Sequence, residues 1–386
     1  MNITADDIRK IYDAEGDHDQ LIFHPDQVPT SYKAMTREWL TAVICKDMPG
    51  VEITDFRFDE RDDGSSNRRR IFLTYNDPAA SAGLPPTVFC KAAETLENRI
   101  VLGVSETALA EANFYNLVRP RIDFEAPTPR FARFDPKSFA YLIMMDDMAG
   151  KVTFLDERNT LNRAQAEAMV ITLARLHGSF YESPELGTAT LPFKRWPDWW
   201  AAMMHGAPDF PDFCDTGFEG SEKVMPARLF RRRAEIWPAT EKSVERHRVL
   251  PHTLIHSDVH YKNWYLTADD QMGLADWQLT TIGHWSRDFV FATTTALTVD
   301  QRRDWQEDLL RLYLDLMAEQ GVRDTGFDDA LLNIRQQLFT ALAFWTITLC
   351  PTGDMPAMQP ERTTYEFLHR LETAIDDYDA LDAFPD

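Results

Sequence analysis

The sequence predicts an α+β fold in which a small, largely antiparallel sheet lobe precedes a mainly helical lobe. Three observations predict it. Short β-type runs crowd the first 147 residues, apolar positions then recur at helical spacing, and one hairpin-like segment interrupts the helices between Leu254 and Trp277. With 386 residues, 44% apolar and 26% charged, the chain is long enough for two lobes with separate cores and has a folded protein's composition. The expected boundaries are 1–147 for the first lobe, whose leading ~30 residues form an extension, and 148–386 for the second.

In the first lobe, Met35 to Ile44 reads as a short helix with Trp39, Leu40 and Val43 on one side, closed by Pro49-Gly50. Strands are expected over Val51 to Phe58, Arg70 to Tyr75 and Thr87 to Lys91. The first two flank Asp62-Asp63-Gly64-Ser65-Ser66-Asn67, a strong turn signal. A helix from Thr107 to Val118 stops before Pro120, and strands over Arg130 to Phe134 and Phe139 to Met145 complete the sheet.

Beyond Asp146-Asp147-Met148-Ala149-Gly150 the pattern turns helical. Met169, Leu173, Leu176 and Phe180 define one apolar helix face. Trp305, Leu309, Leu312 and Leu316 define a second, and Leu368, Leu371, Ile375 and Tyr378 a third. The uncharged run Leu338 to Cys350 is too short for a bilayer and reads as a buried helix ending at Pro351. The stretch Glu372 to Asp386, with six acids and no base, reads as a solvated helix face and a frayed end. Two lobes joined by a short hinge place a cleft between them, a preferred ligand site.

The embedded hairpin carries the chemistry. His256-Ser257-Asp258-Val259-His260-Tyr261-Lys262-Asn263 precedes Trp264-Tyr265-Leu266 and Met272-Gly273-Leu274-Ala275, and then Asp276-Trp277-Gln278. The hairpin's return lets Asp258, Asn263 and Asp276 converge. One carboxylate can orient a hydroxyl, while an amide oxygen and a second carboxylate supply the hard oxygen donors that Mg²⁺ prefers. Phosphoryl transfer needs that division of labour. His256 and His260 lie four apart, but no helix and no metalloprotease glutamate accompany them, so they do not read as a zinc pair.

His256-Ser257-Asp258…Asn263 resembles the HGDxxxxN catalytic loop of aminoglycoside phosphotransferases and choline kinases, and Asp276-Trp277-Gln278 their metal-binding motif. The ecdysteroid-kinase-like branch is the best resemblance, through Glu111-Ala112-Asn113-Phe114-Tyr115, Met145-Asp146-Asp147-Met148, Leu173-Ala174-Arg175-Leu176-His177-Gly178-Ser179-Phe180 and Arg287-Asp288-Phe289. The resemblance extends from Arg37 to Tyr378 and implies a two-lobed protein-kinase-like fold and an ATP- and Mg²⁺-dependent kinase acting on a small-molecule alcohol.

It implies a catalytic role for Asp258, metal ligation by Asn263 and Asp276, and a phosphate contact from Lys91. Glu111 is the implied ion-pair partner of Lys91, with Glu106 as the alternative. Gly64, Ser65 and Ser66 would cover the nucleotide, and Asp146 and Met148 would offer backbone C=O and N–H to the adenine edge. Asp288 would fix the catalytic loop through backbone amides. Two departures stand out: Ser257 replaces a usual glycine, and the nucleotide-covering turn has one glycine. Trp196 to Trp200 either pack in the core or help form the acceptor pocket.

Other classes fit less well. The 40 Lys and Arg against 62 Asp and Glu leave a charge of −22, out of character with nucleic-acid binding. Asp276 and Asp288 are only twelve apart, leaving no room for a protein kinase's activation segment. A pseudokinase or scaffold without turnover is the alternative, against which the complete set of Lys91, Asp258, Asn263 and Asp276 argues. No secretory, transit or membrane-spanning signal is evident, and four scattered cysteines suit free thiols, so a cytoplasmic protein without membrane partners is expected. Monomer and homodimer, and ATP and GTP preference, are equally compatible with the sequence.

Overall fold

A computed structural model describes residues 3–350 and 359–384. The expected helix stop at Pro351 and the terminal Asp386 lie outside the described residues. The chain divides into two compact units, one of Met1–Arg121 with Ala126–Lys151, the other of Ile122–Glu125 with Val152–Asp386. The α+β class expected from the sequence is the class observed.

The first unit is built on a six-stranded antiparallel sheet. Its strands are β1 (Ile53–Phe58), β2 (Asp62–Asp63), β3 (Asn67–Tyr75), β4 (Thr87–Ala92), β5 (Pro129–Phe134) and β6 (Tyr141–Asp146). The order is β1-β3-β4-β6-β5, with β2 paired to β3. Strand β3 begins three residues before the expected start, because Asn67, Arg68 and Arg69 pair with Ala92, Lys91 and Cys90. Long arginine stems can lie along a sheet while their heads reach water, so a basic run need not be a loop.

Alternation along β4 sends Val88, Cys90 and Ala92 into a core with Tyr32, Trp39, Leu40, Val43 and Ile44. The same alternation turns Lys91 to the opposite face. Two helices, Ala5–Glu15 and Leu96–Val104, join the two expected over the first 120 residues. Helix α1 (Ala5–Glu15) starts in a capping box between Thr4 and Asp7, and α2 (Arg37–Ile44) is capped by Thr36. Helix α3 (Leu96–Val104) packs on α1. A Cβ at Gly103 would stand 2.8 Å from both Ile8 Cδ1 and Phe139 Cδ1, so a larger residue there would force those side chains to shift. Helix α4 (Thr107–Asn113) ends earlier than expected and passes into a wider π-type turn over Phe114–Val118.

In the second unit the expected hairpin is present. Strands β7 (Val152–Phe154), β9 (Trp264–Thr267) and β10 (Met272–Leu274) form one antiparallel sheet, and β8 (Thr253–Ile255) pairs with β11 (Thr281–Gly283). Helix α5 (Arg163–Phe180) buries Met169, Leu173, Leu176 and Phe180 as their spacing predicts. Then come α6 (Trp196–Gly206), α7 (Phe210–Gly220), α8 (Ala227–Phe230) and α9 (Ile236–Arg246). After the hairpin follow α10 (Ser286–Ala296), α11 (Val299–Glu319), α12 (Phe327–Gln336), α13 (Phe339–Thr346) and α14 (Glu361–Asp377).

Two expectations here are corrected. Helix α11 buries Arg302, Gln306, Leu309, Leu310, Tyr313 and Met317, while Trp305, Leu312 and Leu316 are only half-buried. The inward face is rotated because Arg302 meets Asp377 and Gln306 donates to Thr293, so polar groups sit where the apolar count placed the surface. The acidic stretch is not a solvated face throughout: Glu372 is wholly buried, with Leu371 and Thr373 beside it. Among the described residues no helix is long and apolar enough to cross a membrane.

Candidate active site

The chain leaves β8 at His256 and makes a loop that ends in a 3₁₀ turn, Tyr261–Asn263, before entering β9. Asp288, in the first turn of α10, holds the start of this loop. Its Oδ2 accepts the His256 N–H at 2.7 Å and its Oδ1 the Ser257 N–H at 2.9 Å. Oδ2 also lies 3.3 Å from His177 Nε2, while Nδ1 of that ring lies 2.8 Å from Tyr313 Oη. Burial works to raise the Asp288 pKa, but the His177 hydrogen bond and nearby His and Arg charges bring it below the ordinary carboxylate value.

Ser257, at the usual glycine position, has φ 68°. That left-handed conformation costs an ordinary residue about 1 kcal/mol or more. Its hydroxyl pairs with Thr281 Oγ1 at 2.6 Å, and its carbonyl accepts Arg287 Nη2 at 2.8 Å. The Arg287 guanidinium stacks 3.9 Å from the Trp196 ring centroid.

Asp258 follows, its own N–H directed at His256 Nδ1 at 3.2 Å. Asn263 turns its amide nitrogen inward, donating to the Asp258 carbonyl at 2.6 Å, which leaves its Oδ1 as an acceptor. The Ala275 N–H donates to the Asn263 carbonyl at 2.8 Å, and His256 Nε2 meets the Ala275 carbonyl at 2.9 Å. Asp276 comes next, in the left-handed region at φ 62°. The segments bearing Asp258, Asn263 and Asp276 are therefore laced together by hydrogen bonds. Among the described residues no group of three or more His, Cys, Asp or Glu could hold a metal. What the chain offers is an amide oxygen and a carboxylate, hard donors that suit Mg²⁺ when phosphates and waters complete its shell.

His260, within this loop, has Nε2 3.7 Å from Asp258 Oδ2. Its ring packs edge-on against Trp345, 5.4 Å between centroids, and Trp345 packs on Phe367. Burial lowers the His260 pKa, opposed in part by the Asp258 charge.

In the first unit, Lys91 Nζ lies 2.8 Å from Glu111 Oε1, both side chains nearly inaccessible. Glu111 Oε2 takes a hydrogen bond from the Tyr141 hydroxyl. Glu106, the alternative partner, precedes α4 at φ 57°. Gly64, Ser65 and Ser66 form the turn between β2 and β3, with the Gly64 N–H donating to the Ser66 carbonyl at 3.0 Å. At the end of β6 the Asp146 N–H is spent on the Thr128 carbonyl at 3.0 Å, and its carboxylate forms a fork with Arg130 at 2.6 and 2.9 Å. Met148 accepts the Lys151 N–H through its carbonyl at 3.0 Å.

Sequence reasoning gave Arg287, Thr281 and Tyr141 no role. Arg287 sits inside a motif that was singled out, but nothing in a linear pattern shows that its guanidinium spans a tryptophan and a loop carbonyl.

A sequence model of the group described as "APH: Phosphotransferase enzyme family" matches residues 78–324. Among solved structures, the amicoumacin kinase hAmiN in complex with AMP-PNP, Ca²⁺ and Ami aligns with a TM-score of 0.51 at 10% identity, over 83% of this chain and 88% of that one. An ethanolamine kinase from Plasmodium vivax aligns at 0.46 and 11% identity, covering 83% and 81%. The apoenzyme of a macrolide 2'-phosphotransferase from Brachybacterium faecium aligns at 0.45 and 12%, covering 86% and 98%. No curated protein matches the chain in sequence.

Proposed function

The chain belongs to the phosphotransferase enzyme family, and we propose that it is a kinase moving the γ-phosphoryl group of ATP to a hydroxyl of a small organic molecule. The observation that carries this reading is the loop in which Asp288 fixes the backbone before Asp258, while Asn263 turns its amide nitrogen inward and leaves an oxygen donor. Asp258 would accept or orient the acceptor's hydroxyl proton. Asn263 and Asp276 would hold Mg²⁺, whose chemistry is to neutralise charge on the β- and γ-phosphates. Lys91, kept in place by Glu111, would meet the α- and β-phosphates. Gly64, Ser65 and Ser66 would cover the nucleotide, and the Asp146 carbonyl and Met148 N–H would meet the adenine edge. In-line transfer then proceeds mainly by positioning and charge neutralisation. The amicoumacin kinase was solved with AMP-PNP and Ca²⁺, which supports a nucleotide and a divalent cation here.

The finer placement we propose is the ecdysteroid-kinase-like branch, with a bulky, largely apolar alcohol as acceptor. His260, 3.7 Å from the Asp258 carboxylate, packs its ring on Trp345, and an aromatic neighbour of this kind supports an apolar acceptor. We also place the protein in the cytoplasm. The test is ATP-dependent phosphorylation across a panel of small alcohols, with Asp258→Ala, Asp276→Ala and EDTA as controls. Transfer that survives either substitution on the true acceptor sinks the assignment of roles.

A further inference from the structure

The turn proposed to cover the nucleotide has one glycine, and its carbonyls are held by a side chain on α3. The Asn98 side chain, 8% exposed, donates its Nδ2 to the Gly64 carbonyl and to the Ser65 carbonyl, both at 2.8 Å. Its Oδ1 accepts the Thr95 hydroxyl at 2.7 Å, which fixes the amide's orientation. One side-chain amide thus spends both donor hydrogens on consecutive carbonyls of a single turn.

The neighbouring contacts point the same way. At the other end of the turn the wholly buried Asn67 accepts the Glu94 and Thr95 N–H groups through Oδ1, at 2.8 and 3.3 Å, and donates to Asp63 at 2.8 Å. Tyr32 donates its hydroxyl to the Asn67 carbonyl at 2.8 Å. Helix α3 is itself braced by the N-terminal extension. The buried Arg99 reaches Glu15 at 2.6 Å, the Thr30 carbonyl at 3.1 Å and the Ser138 carbonyl at 3.0 Å, and Gly103 lets α1 approach closely.

We propose that Asn98 is a positioning residue for the nucleotide's phosphates, acting through the Gly64–Ser66 turn. The turn's carbonyls are held back by the side-chain amide, so the segment is preorganised by an anchor on α3 where a glycine-rich loop would rely on backbone freedom. The α1 extension belongs to the same device, because it fixes the helix that carries the anchor. This role rests on the kinase reading.

The experiment is calorimetric titration of ATP with Mg²⁺ into the full-length protein and its Asn98→Leu and Asn98→Asp variants, with amide hydrogen exchange over 62–67 in the absence of nucleotide. Leucine keeps the volume and removes both donors. Aspartate also sets negative charge against two carbonyls. Both variants should bind ATP about tenfold more weakly, the loss expected of one modest hydrogen-bond equivalent, and exchange faster at Ser65 and Ser66. A wild-type protein that binds and variants that bind equally overturn the role of Asn98 alone. A wild-type protein that does not bind ATP overturns the kinase reading and this role with it. Weaker binding without faster exchange overturns the proposed route through the turn. Should either variant fail to fold, Asn98→Ser, too short to span both carbonyls, gives the same discrimination.

Discussion

Asp288 holds the Ser257 N–H at 2.9 Å while Ser257 keeps a left-handed backbone, so one buried carboxylate stabilises the bend that presents Asp258. The Ser257 carbonyl, on the other side of the peptide, is taken by Arg287. The bend is clamped from both faces.

Asp288→Asn should therefore lose more than a charge. An asparagine offers one acceptor where two loop N–H groups converge, and its NH₂ would face the other. We expect a stability loss of about 2–3 kcal/mol in urea unfolding. Phosphoryl transfer should fall by roughly a hundredfold or more, since Asp258, the proposed base, loses its orientation. The carboxyl's lowered pKa sets the sign of its pH effect. Its stabilisation is present above the ordinary carboxylate pKa and is lost as pH falls through the lower folded value. Full activity in Asp288→Asn would show that the loop is held by other contacts.

The Arg287 clamp makes a separate prediction. Burial lowers its pKa to about 10, and the guanidinium stacks on Trp196 while reaching Ser257. Lysine cannot both stack as a plane and span to the carbonyl. Arg287→Lys should lower kcat about tenfold with little change in the KM for ATP, at roughly 1–2 kcal/mol of stability. A rise confined to the KM for ATP would contradict the assignment to the catalytic loop.

Lys91 and Glu111 form a nearly inaccessible pair in the first unit. Removing one partner leaves a buried charge, so Lys91→Met should cost about 3 kcal/mol, whereas Lys91→Met with Glu111→Leu should recover most of it. Nucleotide affinity should stay lost in both proteins. Denaturant melts and ATP titration separate the two effects, and restored binding in the double variant would remove Lys91 from the proposed phosphate site.

Glu372 is buried with neither carboxylate oxygen hydrogen-bonded among the described residues. Burial raises its pKa to about 8. Because the folded pKa exceeds the unfolded one, its stabilising contribution is complete below the ordinary carboxylate pKa and declines as pH rises through the folded value. Wild-type stability should fall by about 2–4 kcal/mol between pH 5 and pH 8.5 from this group. Glu372→Gln should remove that component of the slope. Parallel stability–pH curves for the two proteins would sink the prediction.

Much of the architecture was legible because it follows from local rules. Alternation in Val88-Phe89-Cys90-Lys91 gave a strand with its lysine opposite the core, and the paired apolar runs Trp264-Tyr265-Leu266 and Met272-Gly273-Leu274-Ala275 gave the hairpin. Two failures share a cause. The early start of β3 and the rotated face of α11 put polar residues where periodicity places water or a loop. Local pattern counts apolar positions and cannot see a partner that makes a buried polar group tolerable.

By itself, the sequence determined the α+β class, the candidate residues Lys91, Glu111, Asp258, Asn263 and Asp276, and the motif order that joins them to the phosphotransferase enzymes. Asp288's hold on the loop amides follows the resemblance, whereas only the tertiary structure decided the other supports: Arg287 on the bend before Asp258, and Asn98 on the glycine-poor turn. Chemistry-bearing groups are recognisable from type and spacing because the reaction dictates both. Their supports are hydrogen bonds between segments tens of residues apart, and many side chains could make them, so no spacing rule announces which one does.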